Sequence, residues 1–438
     1  MRILLVNVHS SWNAGDNLLT EETLRQLGAH FPGASFTLAM NDPESYSGPW
    51  PALPSFTAWV HRMDREHSAS PWRWRSVPAL VWHSLLAWAG HRLVGKPWYL
   101  WTRPDYRALI ESYFAADLVV STAGNFLFSS GAVGIPFLLA LFAIHFATLV
   151  GKPVYTMPQS LGPIRRSHEV WLLKRVLSRT RLVLIRDAVS QQVWETWHVP
   201  HVRGVLVPDL ALGRAPEECT AEAAALLEQY GVKEDGRRPW MGVTVVNWGA
   251  MNRSFPQQAE YEEGIASAIR DFASTGGRAV LFAQVHGPDT AQDDRIPSRR
   301  VLERVSDLGD RVVLVDGWAE PALLKAAYGR MDLFLGTRLH SNLFALTEGV
   351  PVVAIGYQYK TRGILRMLGL EEWMLDIDAV SAETLVPLVR RAWLQREQLR
   401  SQLLVTLGEL RHQTRQAGSL VARDYLSLTA GTDGGGGR

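Results

Sequence analysis

The sequence has almost no cysteine. Cys219 stands alone among 438 residues, so the chain can close no disulfide on itself and build no cysteine-based zinc site. A surplus of either charge is also missing. There are 45 lysines and arginines against 43 aspartates and glutamates, a formal net charge of +2. A nucleic-acid binder normally gathers a basic excess on one face, so no nucleic-acid partner is expected. Long apolar runs are scarce too. "IPFLLALFAIHFATLV", residues 135–150, is 16 residues long and contains His145. That is short of the roughly 20 residues that cross a bilayer, and the run predicts a buried helix. The opening "MRILLVNVHSSW" has only a short apolar run, Ile3 to Val8, and no cleavage-site pattern. It reads as a first strand rather than a signal peptide, and a reducing cytoplasm is the expected compartment.

What is present suits a globular protein of more than one core. Hydrophobic residues make up 47% and charged residues 20%, and the length implies two domains. Tryptophan is unevenly spread, with eight of 17 between Trp50 and Trp101. We read this stretch, about 45–105, as an aromatic insertion packed on its domain. One or two of its tryptophans are left for substrate contact, because tryptophan also suits sugar stacking and membrane interfaces.

Strand and helix signals alternate from the start. "ILLVNV", "DLVVST", "KPVYTM" and "RLVLIR" have strand length, and helix patterns such as "LLTEETLRQLGAHF" and "AVSQQVWETW" follow. This alternation implies βαβ units on a parallel sheet. After a polar passage over 213–239, it restarts with "WMGVTVVNW", "AVLFAQVH", "RVVLVDGW", "MDLFLGT" and "VPVVAIGY". The expected architecture is α/β: two Rossmann-like domains, 1–212 and 240–380, facing a cleft. Helices over 381–430 would pack back, and a glycine-rich tail, 431–438, would be disordered.

Ligands of such sheets lie beyond the carboxyl ends of the strands, so the residues there were read for chemistry. Asp16, in "SWNAGDNLLTEE", is expected to cap a helix, or else to face the cleft as a base or acceptor for a sugar hydroxyl. Asn125 in "STAGNFLFSS" and Gln159 in "MPQSLGPIRRS" are expected in loops, where they offer amides. Arg186 ends a strand and Asp187 can cap the next helix, so the guanidinium would meet an anion at a helix N-terminus. The alternative is an ion pair of Arg186 with Asp187 or across the domains, and Asp209 reads as the partner of some cation. His286 follows a strand and precedes the polar run Asp293, Asp294 and Arg295.

"GTRLHSNLFALTEGVPVVAIGYQYK", residues 336–360, carries most. Thr337 is expected to cap a helix and to place Arg338 and His340 in its first turn, where an anion is favoured. Gly349 stops that helix and Pro351 opens the next strand. Lys360 and Arg362 then follow at the same edge. A cation in a helix's first turn opposes the dipole, which favours a ligand over packing as the reason for Arg338.

This stretch resembles the C-terminal signature of polysaccharide pyruvyl transferases. "NAGDNLL", "PQSLGPI" and "IRDAVS" appear in the order that family would have them, over roughly Met1 to Asp378. "STAGN" departs from the pattern, with Ala123 where a glycine pair is expected. The resemblance implies a fold like that of GT-B glycosyltransferases. It also implies transfer of pyruvate from phosphoenolpyruvate to two hydroxyls of a saccharide, giving a cyclic ketal for cell-surface polysaccharide. It puts Arg186, Arg338, Leu339 and His340 at the donor. Histidine suits proton delivery near neutral pH, so His340 is expected to be the general acid, with the arginines and Lys360 holding the anion. No metal and no cofactor beyond the donor substrate are expected.

Two other readings stay open. One is a nucleotide-sugar glycosyltransferase of the same architecture; many retaining members carry two glutamates eight positions apart here, and the position eight before Glu348 is His340. The other is a sugar-binding protein without turnover. The acceptor's identity and the oligomeric state are open, and a lipid-linked acceptor would put the chain at the inner face of the membrane.

Overall fold

The computed structural model describes residues 1–66, 76–99, 103–129, 134–216, 219–232, 239–252 and 254–433. It divides into two compact units. One comprises Met1–Ser11, Leu19–Leu210 and the chain from Arg415 onward; the other comprises Trp12–Leu18 and Ala211–Thr414. The change between them at Leu210 falls two residues before the expected boundary at 212, and the segments 12–18 and 415 onward are exchanged relative to that expectation.

The first unit is built on strands β1 (Arg2–Ser10), β2 (Ser35–Asp42), β3 (Ala52–Pro54), β4 (Leu118–Ser121), β5 (Gly124–Ser129), β6 (Val154–Ile164), β7 (Leu182–Ile185) and β8 (Arg203–Leu206). They form one sheet in the order β3-β2-β1-β4-β6-β7-β8, with β5 added on β6, and the pairings are parallel. Leu4 and Val6 of β1 join a core on one face, and Ile3, Leu5 and Val8 join a core on the other. A strand covered on both faces reads as a continuous apolar run, which is why "ILLVNV" was recognisable. Helix Ile135–Leu149 lies in the first of these cores, and no helix among the described residues is long and apolar enough to cross a membrane.

Two loops expected from sequence are strands. "GNFLFS" is β5, and β6 continues through Gln159, Ser160 and Gly162 to Ile164. Polar residues mid-strand hid this, because their side chains serve the network described below rather than a core. The expected tail at 431–438 begins as helix: Ala417–Asp433 is helical, and residues 434–438 lie outside the described set.

The second unit repeats the plan with β9 (Trp240–Thr244), β10 (Arg278–Phe282), β11 (Val312–Val315), β12 (Leu333–Gly336), β13 (Val352–Gly356) and β14 (Met374–Asp376). Their order is β11-β10-β9-β12-β13-β14, all parallel. Helix Leu339–Thr347 between β12 and β13 is buried along its whole length, not on an inward face alone. It ends where Gly349 takes φ +80°. Gly349 N–H then donates to Leu346 O (2.9 Å) and Val350 N–H to Ala345 O (3.0 Å), which satisfies the last free carbonyls of the helix.

Candidate functional site

In the second unit the site is built on the exit of β12. Gly336 has no room for a side chain, since a Cβ there would overlap Oδ1 of Asn342 and stand 2.9 Å from its Cγ. The turn that follows is bolted to its neighbours by hydroxyls. Thr337 Oγ1 and Tyr261 Oη lie 2.7 Å apart, Thr337 N–H donates to Thr244 Oγ1 (3.2 Å), and Thr244 Oγ1 and Ser341 Oγ lie 2.8 Å apart. Thr337 therefore does not cap the helix. Arg338 occupies the cap position with extended backbone and no side-chain capping bond, so the helix starts one residue later than expected.

Arg338 has a structural partner that sequence spacing did not show. Its Nε and Nη2 donate to Oδ1 of Asp294 at 3.1 and 2.7 Å, and Nη2 also reaches Gln292 O at 2.9 Å. Asp294 is fully buried, Arg338 is 8% exposed, and Val285 N–H donates to Oδ2 of Asp294 (3.1 Å). Burial pushes the Asp294 carboxyl up and the guanidinium pulls it back. Burial works against the charge of Arg338 as well, but Asp294 and then Tyr357 outweigh it, and its proton is held more tightly than usual. The sequence argument that Arg338 lacks a comfortable structural reason is thus corrected: Asp294 supplies one. A paired guanidinium still keeps free donor directions, so the pair orients Arg338 without using it up.

His340 is 9% exposed and stands beside residues from the first motif. A Cβ on Gly15 would lie 2.5 Å from Cβ of His340 and closer to Nδ1 and Cγ, so the imidazole rests directly on the Gly15 backbone. The segment is held there by its own bonds. Asn13 and Val285 form an antiparallel bridge, and His286 N–H donates to Trp12 O (3.0 Å). Asn13, not Asp16, caps helix Ala14–His30: its Oδ1 accepts from Gly15 N–H (3.1 Å) and Asp16 N–H (3.4 Å). Asp16 sits in the first turn, where it accepts from Asn13 Nδ2 (2.8 Å). Gly15 thus brings the neighbourhood of Asp16 to His340, although the two lie at opposite ends of the matched motifs.

Leu339 is buried in the core of this unit. Lys360 lies in the first turn of helix Tyr359–Met367, half-buried. Arg362 is bound to surface carboxylates, Glu371 at 3.1 Å and Asp376 at 2.9 Å. A ring nitrogen of His286, Nε2, lies 3.1 Å from Ala283 O, and burial lowers its pKa. His286 also packs edge-on against Trp318 (5.5 Å), which in turn meets the partly exposed Trp12 (5.3 Å). Sequence reading missed Asn13, Gly15, Trp12 and Trp318; "NAG" just before an apolar helix was a signal for the cap. Glu348, the glutamate of the rival reading, is half-buried at the other end of the helix and binds Lys325 (2.5 Å).

The first unit gathers Asn125, Gln159 and Arg186. Arg186 is 1% exposed. Its Nη1 donates to Asp209 (2.9 Å) and its Nε to Ser160 Oγ (2.6 Å). Ser160 and Ser190 both donate to Asp187 Oδ2, and Asp187 Oδ1 caps helix Ala188–Trp197 through Ser190 N–H (2.8 Å). The partner of Arg186 is therefore Asp209 and not Asp187. Gln159 donates through Nε2 to Thr122 O, and Gly124, next to Asn125, pairs with Gln159. Arg186 Nη2, Gln159 Oε1, Thr122 Oγ1 and Asn125 Oδ1 are buried atoms without a hydrogen-bond partner. Polar atoms buried unpaired are costly, so four of them in one place mark a spot suited to a polar ligand. Among the described residues no three histidine, cysteine, aspartate or glutamate side chains are placed to hold a metal ion.

The fold is shared with GT-B glycosyltransferases. Sucrose-phosphate synthase from Thermosynechococcus elongatus superposes with a TM-score of 0.56 at 16% identity, covering 98% of this chain and 100% of that one. Anabaena HepE, solved with UDP-glucose, gives 0.53 at 13% identity, covering 98% and 100%. By sequence the chain is similar to the amylovoran biosynthesis protein AmsJ of Erwinia amylovora, with 24% identity over 282 residues, 64% of this chain. The match spans 66% of the length of that relative, just under two thirds. The sequence profile of the family "Polysaccharide pyruvyl transferase" matches residues 13–359. That span runs from the Asn13 cap through Arg186, Arg338 and His340, and the chain belongs to the polysaccharide pyruvyl transferase family.

Proposed function

We propose that the chain transfers pyruvate from phosphoenolpyruvate to two hydroxyls of a saccharide, as a step in making an exopolysaccharide. The observation that carries this is the pairing of an oriented guanidinium, Arg338 on Asp294, with the His340 imidazole two residues on, at the start of a buried helix. The N-terminal end of that helix and a fixed arginine suit a small anion carrying carboxylate and phosphate. Lys360 adds a third cation.

In the reaction His340 gives its proton to the methylene carbon of the donor, and the adjacent carbon becomes cationic. One sugar hydroxyl adds to that carbon and loses its proton to a base. The second hydroxyl then attacks the same carbon, the bond to the phosphate oxygen breaks, the hydroxyl's proton leaves with the phosphate as inorganic phosphate, and the ring of the ketal closes. Asp16 is the proposed base, set one residue from the glycine that supports His340. Within the first unit Arg186 can donate from its unpaired Nη2 to a substrate oxygen, and the unpaired Asn125 Oδ1 and Gln159 Oε1 can accept from substrate hydroxyls; His286, whose Nε2 lies 3.1 Å from Ala283 O, belongs to the second unit.

The test is incubation of the purified chain with phosphoenolpyruvate and a panel of galactosides, mannosides and N-acetylhexosamines. The expected result is release of inorganic phosphate matched by a pyruvyl adduct on one saccharide. Release of a nucleotide from a nucleotide sugar instead would support glycosyl transfer. Saccharide binding with no turnover would support the non-catalytic reading. The ion pair that ties Glu348 to the buried Lys325 weighs against the first of these alternatives.

A further inference from the structure

Helix Val77–Val94 has an unusual outer face. Leu80, Ser84, Ala87 and Gly90 form its buried side. Opposite them stand Trp82, Leu85 and Leu93, 59%, 38% and 71% exposed. A surface helix ordinarily turns polar residues outward, and this one turns three large apolar side chains outward beside His91 and Arg92.

The chain then enlarges the patch. Gly95, at φ +75°, ends the helix, and the following residues fold back along it. Gly90 makes this possible, since a Cβ there would stand 2.6 Å from the backbone nitrogen of Trp98. Trp98, seated on Gly90 at the end of the helix, is left 43% exposed. Trp88, by contrast, turns inward and donates from Nε1 to Leu149 O (3.0 Å).

The chain next to the helix is mostly basic; at the helix start Asp64 accepts from Ser76 (2.7 Å), and Arg103 lies 3.6 Å from Asp105. Between Glu66 and Asp105 the sequence has no aspartate or glutamate and five lysines and arginines. Arg92 and Lys96 are exposed at the end of the helix. The next acids along the chain are already matched: Asp105 by Arg62 (3.2 Å) and Glu111 by Arg107 (2.8 Å). A second copy of the same face would bring like charges together, so self-association is disfavoured.

We infer that this face docks the chain on a bilayer bearing anionic lipid. Trp82, Leu85, Leu93 and Trp98 enter the headgroup region, and Arg92 and Lys96 meet lipid phosphates. The helix lies on the surface; no described helix is long and apolar enough to span it. This use of the tryptophan-rich insertion is independent of the transfer reaction, and it would suit an acceptor carried on a lipid.

The test is co-sedimentation of the full chain with vesicles of phosphatidylcholine alone, or with about one third phosphatidylglycerol. Binding to the anionic vesicles is expected to be at least about tenfold tighter and to weaken with salt. The triple variant Trp82→Ser, Leu85→Ser, Leu93→Ser should lose at least about tenfold in vesicle binding. It should keep its circular dichroism, its Tm and its turnover of a soluble acceptor, because the three side chains are exposed. Equal binding to both vesicle types would overturn the inference, as would a triple variant that binds like the parent. A dimer in solution that the variant dissolves, with no vesicle binding by the parent, would assign the face to a second copy instead.

Discussion

Replacing Gly15 with alanine separates the chemistry of the site from its stability. The new Cβ would stand 2.5 Å from His340 Cβ, against an ordinary contact of 3.4 Å or more. The histidine must therefore retreat by about 1 Å or the Gly15 turn must open by as much. Gly15 lies in the first turn of helix Ala14–His30 and its φ is not positive, so alanine there recovers up to about 1 kcal/mol of helix propensity. Overpacking costs roughly 1–3 kcal/mol. The net change in stability should thus be small, at most about 2 kcal/mol. A displacement of 1 Å at the proton donor, however, costs on the order of a hundredfold in rate. The assay is steady-state phosphate release beside a thermal melt. We expect kcat to fall by about two orders of magnitude, with KM for phosphoenolpyruvate changed far less. A Gly15→Ala chain that melts near the parent and keeps its kcat would refute the claim that the His340 position matters to turnover.

Other outcomes follow from the same geometry. Asp294→Ala should destabilise by about 3–5 kcal/mol in denaturant unfolding, since it strands the buried Arg338 charge; the double change with Arg338→Met should cost less than Asp294→Ala alone. Asp209→Ala should do the same in the first unit, because Arg186 is buried still more fully. Burial lowers the pKa of His145 and His286 below the ordinary 6.5, so the unfolded chain binds their protons more readily. Their contribution is then complete above pH 6.5 and is lost as pH falls through the window below it; a His145→Gln, His286→Gln chain should show a flatter Tm between pH 7 and acid than the parent. Gly349→Ala should cost about 1 kcal/mol, since the position needs a left-handed backbone.

Much of the fold was legible because parallel strands covered on both faces carry unbroken apolar runs, as β1, β7, β12 and β13 do. β6 was cut short at Met157 in the sequence reading because Gln159, Ser160 and Gly162 look like loop chemistry. Their side chains are used by Thr122, Arg186 and Asp187, and only the fold reveals that. The site was partly legible. Arg338 and His340 stand out as titratable residues at the start of a helix that follows an apolar strand. The reason for Arg338, however, lies 44 residues away in Asp294, and no local pattern links the two. Asp16 drew attention as a cap because acidic caps are common, while Asn13 does that work and leaves Asp16 one turn position inside. The contact between Gly15 and His340 joins distant segments, and nothing in either motif announces it. The outward face of Trp82, Leu85 and Leu93 was expected to be packed; large apolar residues in a helix read as buried whether or not a partner exists in the same chain.

The central claim is that a proton passes from His340 to the methylene carbon of phosphoenolpyruvate. Running the reaction in deuterium oxide and reading the ketal methyl group by NMR tests it directly. The account predicts one solvent-derived deuterium in that methyl group, and no product at all from His340→Ala. A methyl group without deuterium, or a folded His340→Ala chain that makes product at the parent's rate, would contradict it.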